Sequence, residues 1–203
     1  MLGDLSIYRA KLTHNARLYV PQGAVHSEYL NHLSSVLNLF SSGPKLDVSL
    51  DTFFQLQRVV WKKKRSNTTY EALRFNTRSL PCFNYYREVF YPDPGLRTKG
   101  PQWAEGGIKI VPANIKELLT ARGLAYWAMD DGYKDRGNFR FATESFSRDD
   151  VLLLLEVLKE NLDCSLNTVQ STQYRIYVKT NSMVQFRALI SPYFFPSMLY
   201  KLQ

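Results

Sequence analysis

The stretch RGLAYWAMDDGYKDRGNFRFATESF, residues 122–146, decides how the rest of the chain is read. An almost unbroken apolar run from Gly123 to Met129 ends in Asp130, Asp131 and Gly132. Negative charge is unfavourable at a helix C-terminus, where the macrodipole is itself negative. In a chain with 26 Lys and Arg, 18 Asp and Glu and a net charge of +8, two such carboxylates mark a place where something positive is held.

Around this stretch the pattern is regular. A helix is expected over about 113–130, entered through Pro112 and ended by Gly132. A hairpin follows, with KDRGN at its turn and NFRFAT as its second strand. Ser147 then caps a helix and Asp150 stands where a capping-box acid belongs. Val151, Leu154, Leu155 and Leu158 form the buried stripe of that helix. Strands SLNTVQ and YRIYVKT and a helix from Ser182 to about Ile190 complete this half.

The first half repeats the order. GDLSIYR and ARLYV make a hairpin, HSEYLNHLSSVLNLF a helix, FQLQRVVWKKK and EALRFNT a second strand pair, and PCFNYYREVF the closing helix. The parallel is sharpest between ALRFNTRSLPCFNYYREVFYP and YRIYVKTNSMVQFRALISPY, and Asp4 and Asp131 occupy equivalent places. The expectation is an α+β fold, a pseudo-two-fold duplication of αββαββα halves over 1–97 and 98–203, with helices on one face of each antiparallel sheet.

Alternation along the strands separates two faces. Asn15, Arg17 and Tyr19 oppose Ala16, Leu18 and Val20; Arg74 and Asn76 oppose Leu73 and Phe75. Asn138 and Arg140 oppose Phe139 and Phe141, while Arg175, Tyr177 and Lys179 oppose Tyr174, Ile176 and Val178. Four strands thus carry an arginine on the face turned away from the core. Arginine and asparagine pair bidentately with guanine and adenine in the major groove, which admits a two-stranded ribbon. Arg58, Lys134 and Arg136 join the candidate nucleic-acid contacts. The run Lys62, Lys63, Lys64 and Arg65 suits phosphate contact or a solvated strand end.

Composition sets the bounds. The 203 residues allow one large domain or two small ones, and 45% hydrophobic with 14% aromatic content describes a folded protein. The basic excess suits a polyanion, with nucleic acid first and an acidic membrane surface second, or a solubilising bias. Cys82 and Cys164 have no CxxC spacing, so neither zinc nor a disulfide framework is indicated, and a reduced compartment fits. His14, His26 and His32 show no ligand spacing. VLLLL at 151–155 is too short to span a bilayer, and no secretory signal opens the chain; a membrane partner is not expected.

LAYWAMDDG resembles the LAGLIDADG motif of homing endonucleases, in the form typical of the monomeric, two-motif branch. KIVPANIKELLTARGLAYWAMDDG, ATESFSRDDVLLLLEVLKENL and ISPYFFPSMLYKLQ follow that branch's pattern in order, and TRSLPCFNYYREVFYP and NARLYVPQGAVHSEYLNHL match its first half. The resemblance implies saddle-like sheets over DNA and motif helices packed together through small residues, here Gly123, Ala125 and Ala128. It implies that Asp131 and Asp4 are metal-binding, catalytic carboxylates for Mg2+ or Mn2+, and that Lys109 and Lys201 flank the scissile phosphates. Asp130 aligns with a position whose side chain is not usually a ligand. Phosphodiester hydrolysis needs such a hard cation, and two aspartates together would repel without it.

The first motif is represented only by MLGD, and Leu5 stands where the family often has glycine. Either an N-terminal segment precedes Met1 or the first motif helix is lost. The resulting expectation is a monomeric, divalent-metal-dependent double-strand DNA endonuclease of intron-homing type, from a mitochondrion or chloroplast. The rival is a LAGLIDADG protein that binds structured RNA without cutting, as an intron maturase or a component of an organellar ribonucleoprotein.

Overall fold

The computed structural model describes residues 2–40, 56–62, 68–92, 108–160, 164–170 and 173–203. The chain divides into two compact units, Asp4–Gly107 and Ile108–Gln203, with Met1–Gly3 grouped with the second.

In the first unit, strands β1 (Ser6–Tyr8) and β2 (Arg17–Gly23) precede helix α1 (Ser27–Val36). Strands β3 (Gln57–Lys62) and β4 (Thr69–Asn76) precede helix α2 (Cys82–Phe90). The antiparallel sheet has the order β1-β2-β4-β3. Ile7, Ala16, Leu18, Val20 and Phe75 are buried beside Tyr29 and Leu30 of α1 and Phe83 and Phe90 of α2, so the predicted apolar face is the helix-covered face. The helix expected over 26–40 stops at Val36 and continues as a 3-10 turn, Asn38–Phe40.

The second unit has the order α3 (Ile115–Leu118), α4 (Ala121–Asp131), β5 (Gly132–Asp135), β6 (Asn138–Ala142), α5 (Arg148–Lys159), β7 (Cys164–Gln170), β8 (Gln173–Val178) and α6 (Met183–Ile190). Its antiparallel sheet runs β5-β6-β8-β7. The two sheets repeat one topology, and the fold is α+β, as expected.

Local chemistry explains these elements. Arg136 and Gly137 both take positive φ, 47° and 89°, as the two central residues of a type I′ hairpin must. Ser147 and Asp150 form the expected capping box on α5. Phe139 and Phe141 are fully buried, and Trp127 of α4 stacks on Phe141 at 4.1 Å between ring centres. Phe186 of α6 meets Phe139 at 4.9 Å, which ties both helices to β6. Truncating any one of these rings costs about 3–5 kcal/mol.

The single helix expected over 113–130 is two. Thr120 is extended, at φ −81° and ψ 166°, and its hydroxyl accepts from the amide of Gly123. A threonine that can cap the next turn competes with continuation of the helix. Among the described residues no helix is long and apolar enough to cross a membrane.

Candidate functional site

Helix α4 buries Leu124, Ala125, Trp127, Ala128 and Met129, which leaves Asp130 and Asp131 half-buried at its foot. Gly132 ends the helix in extended conformation, φ −90° and ψ 151°, so the glycine is not there for a left-handed turn. It is there for space: a Cβ would lie 2.3 Å from Cζ of Phe139 and 2.4 Å from the carbonyl oxygen of Ala128.

The unfavourable charge at this helix end is offset by Lys201. Its ammonium donates to the carbonyl oxygens of Met129 and, at 3.1 Å, of Asp130. A cation on the last carbonyls of a helix satisfies orphan acceptors and opposes the negative dipole end. Gly3 sits so close to Asp130 that a Cβ would approach Oδ2 to 2.3 Å, and Lys109 Nζ donates to the carbonyl oxygen of Gly3 at 2.7 Å. Both lysines thus act as braces around the motif acids.

In the other unit Asp4 is exposed, and its Oδ2 accepts from Nε2 of Gln22 at 3.0 Å. Gln22 is only 6% exposed, so its amide is a fixed donor that orients the carboxylate. Gln22 is not among the candidates named from the sequence. The signal was there: the buried register Ala16, Leu18, Val20 continues to a polar Gln22. At the matching place beyond Phe139 and Phe141 stands Thr143, fully buried, whose hydroxyl donates to the carbonyl of Tyr174 at 2.8 Å.

The faces away from the helices carry the expected arginines, in matched registers. Ser6, Tyr19 and Asn76 form one cross-strand row, and Tyr133, Arg140 and Tyr177 form its counterpart. Arg74 pairs with Pro21 and Gln57, whereas Arg175 pairs with Ala142 and Asn167.

The surroundings of these arginines differ. Arg17 lies over the ring of Tyr8 at 5.0 Å, and Arg74 lies over Tyr19 at 5.7 Å and donates to Gln57 at 3.2 Å. Arg140 is ion-paired with Asp135 and lies 4.5 Å from the centre of the Tyr177 ring. Arg175 is ion-paired with Glu144, and both arginines lie over Tyr133 at 5.8 Å. The hydrogen bond that Arg175 donates to Glu144 raises the Arg175 pKa above its ordinary value, against a smaller opposing effect of burial. Asp135 and Glu144 are not legible as partners in the sequence because ion-pairing partners follow no local period.

The other sequence candidates are placed as follows. Asn15 accepts from the side-chain amide of Asn84 at 3.0 Å and is tied to α2. Asn138 accepts from Thr180 at 2.9 Å. Arg58 is paired in register with Leu73, and Lys134 with Phe139, so both lie on the helix-side face, away from Arg74 and Arg140. Lys62 shares the face of Arg58, which forms an ion pair with Glu71. Arg136 occupies the hairpin turn and Lys179 is exposed just beyond β8. Lys63, Lys64 and Arg65 lie outside the described residues.

Among the described residues no three His, Cys, Asp or Glu side chains gather as a metal cluster. The donors at the motif positions are carboxylate oxygens alone, the type a hard cation such as Mg2+ takes one or two of, with water and phosphate completing its shell.

Comparison with known proteins places these observations. The profile described as the LAGLIDADG DNA endonuclease family matches residues 1–186. Cytochrome b mRNA maturase bI2 of Saccharomyces cerevisiae is 31% identical over 207 residues, covering all of this chain and 45% of that protein. The chain therefore spans less than half the length of this relative. Intron-encoded endonuclease ai4 of Dictyostelium discoideum is 33% identical over 136 residues, 66% of this chain and 78% of that protein. The solved structure of the homing endonuclease I-WcaI bound to its DNA recognition sequence shares the fold, with a TM-score of 0.76 at 23% identity, covering all of this chain and 81% of that one.

Proposed function

Since this chain belongs to the LAGLIDADG DNA endonuclease family, we propose that it is a site-specific, divalent-metal-dependent double-strand DNA endonuclease of intron-homing type. The observation that carries this reading is the pair of equivalent acids, each with its own fixed support. Gln22 occupies Oδ2 of Asp4, and Lys201 neutralises the helix end beside Asp131.

Asp4 and Asp131 would hold Mg2+ or Mn2+, which when bound activates water and neutralises charge on the attacking and leaving oxygens. The chain's own residues prepare that chemistry. Gln22 fixes the orientation of the exposed Asp4 carboxylate through Oδ2. Lys109 and Lys201 hold backbone beside the acids and supply positive potential where a phosphate would lie. The basic, arginine-bearing sheet faces bind the duplex. Both halves of the duplication lie in one chain, so the protein acts as a monomer. Relatives named for introns and for cytochrome b mRNA support an organellar origin, mitochondrion or chloroplast.

A second reading, RNA binding without cleavage, is favoured by one observation: the yeast relative that spans the whole chain is named a maturase. Nicking of a randomised duplex library with Mg2+ or Mn2+, parent beside Asp131→Asn, separates the two. Cleavage by the parent alone supports the endonuclease. A parent that cuts nothing with either metal overturns it, and binding of structured RNA unaffected by Asp4→Asn and Asp131→Asn then supports the maturase-like role.

A further inference from the structure

Asp135 and Glu144 are acids on a face that otherwise suits a polyanion, and no role above uses them. We propose that the outer face of the β5-β6-β8-β7 sheet reads G·C base pairs with arginine–carboxylate pairs acting as units, Arg140 with Asp135 and Arg175 with Glu144. The two acids are then specificity-determining residues. This rests on the duplex-DNA reading above and sharpens it to a base-pair class.

The chemistry of the two partners matches. A G·C pair shows, across its major-groove edge, the N7 and O6 acceptors of guanine and then the N4 amine donor of cytosine. An arginine beside a carboxylate shows donor, donor, acceptor. An A·T pair places an amine where the arginine needs an acceptor and a methyl group near the carboxylate. Each unit therefore fits one pair and opposes the other.

The structure holds these groups in place. Side-chain exposure is 24% and 20% for Arg140 and Asp135, and 28% and 21% for Arg175 and Glu144. The guanidinium groups also rest on the rings of Tyr133 and Tyr177. Fixed donors lose little rotational freedom on binding, which is the condition for discrimination. A carboxylate already engaged with each arginine also weakens its attraction to any passing phosphate, so affinity without the right base is low. On the outer face of the other sheet, among the described residues, Arg17 and Arg74 are held instead by tyrosine rings and by neutral Gln57.

The register sets the spacing. Arg140 lies opposite Tyr177, and Arg175 opposite Ala142, which makes the arginines diagonal neighbours, about 7–8 Å apart in an antiparallel pair. That matches roughly two base steps of about 3.4 Å.

The test is selection and sequencing of randomised duplexes bound by the full chain without divalent metal, for the parent, Glu144→Gln and Asp135→Asn. The parent is expected to prefer G·C by about tenfold at two positions no more than about two steps apart. Each variant should lose the preference at one of them. Its log–log salt slope should steepen by about 0.9 as the released arginine engages a phosphate. Arg175→Lys keeps the charge but not the planar fork, and should lose the same position as Glu144→Gln. Preferences elsewhere in the site, unchanged in all three variants, report an intact fold. Duplex binding with base preferences identical to the parent's overturns this inference and leaves the DNA reading standing. Failure of the parent to bind any duplex overturns both.

Discussion

The two sheets share topology and register, yet they hold their arginines by different means. In the Asp4–Gly107 unit the outer face offers Arg17 and Arg74 supported by Tyr8, Tyr19 and Gln57, all neutral. In the Ile108–Gln203 unit Arg140 and Arg175 are each matched by a carboxylate. Duplication has preserved the frame that places side chains and released the electrostatics of what they touch. The same division appears at the acids: Asp4 is oriented by a buried amide, whereas the foot of α4 is braced by an ammonium group on backbone carbonyls.

The largest expected effect tests whether the two acids remain equal despite these different supports. Asp4→Asn and Asp131→Asn keep shape but remove the charge that recruits the cation. Lewis-acid stabilisation of several kcal/mol at about 1.36 kcal/mol per tenfold predicts a loss of about three orders of magnitude in cleavage for either. Metal-free affinity should be unchanged or slightly raised. A single-turnover assay in which one variant is nearly intact would show that only one unit carries the site.

Next in size is the residue after each acid. Gly132 has no room for a Cβ beside Phe139, whereas the position after Asp4 is Leu5, half-buried beside a strand that carries Leu18 in the place of Phe139. Gly132→Ala is expected to destabilise by about 3 kcal/mol and Leu5→Ala by about 1 kcal/mol, as read by chemical denaturation. Equal costs would remove the ring as the cause.

Alkaline pH separates the closing helices. Burial pushes the Tyr91 phenol up to about 12, partly opposed by the neighbouring Arg87, and the matching position after α6 is Ser191, which does not titrate in this range. A raised phenol pKa means the neutral form is favoured in the fold. Its contribution is complete below pH of about 10 and is lost as pH rises through about 12, by about 3 kcal/mol in all. Thermal melts of Tyr91→Phe should lose that alkaline sensitivity, and a parent-like pH profile would refute the assignment.

The smallest effect concerns binding to non-specific duplex. Arg17→Gln and Arg74→Gln should each lower the salt slope by about 0.9, because no carboxylate among the described residues is paired with those arginines. Arg140→Gln and Arg175→Gln should change it less. A reversed order, read by fluorescence anisotropy over a salt series, would break the contrast between the sheets.

Much of this was legible in the sequence for a physical reason: it is periodic or local. Alternation along ARLYV, NFRFAT and YRIYVKT fixed which face is buried, and Ser147 with Asp150 marked a helix start that formed as written. The break at Thr120 was missed because the apolar period continues across it, while a hydroxyl three residues before Gly123 decides the backbone. The expected catalytic positions were readable from the motif. Their supports were not, since Gln22 lies 18 residues from Asp4 and Lys201 lies 71 from Asp130. The same holds for Asp135 and Glu144, whose roles depend on which strands become neighbours.

The hydrogen bond from Lys109 to Gly3 spans 106 residues, and Met1–Gly3 group with the unit that begins at Ile108. During synthesis the ribosome delivers Gly3 long before its partner. At about 5–20 residues per second Gly3 waits on the order of 5–20 s for Lys109, until the Asp4–Gly107 unit has been made. Gly3 is thus made well before the lysine that anchors it, and its anchoring is timed by translation of the second half.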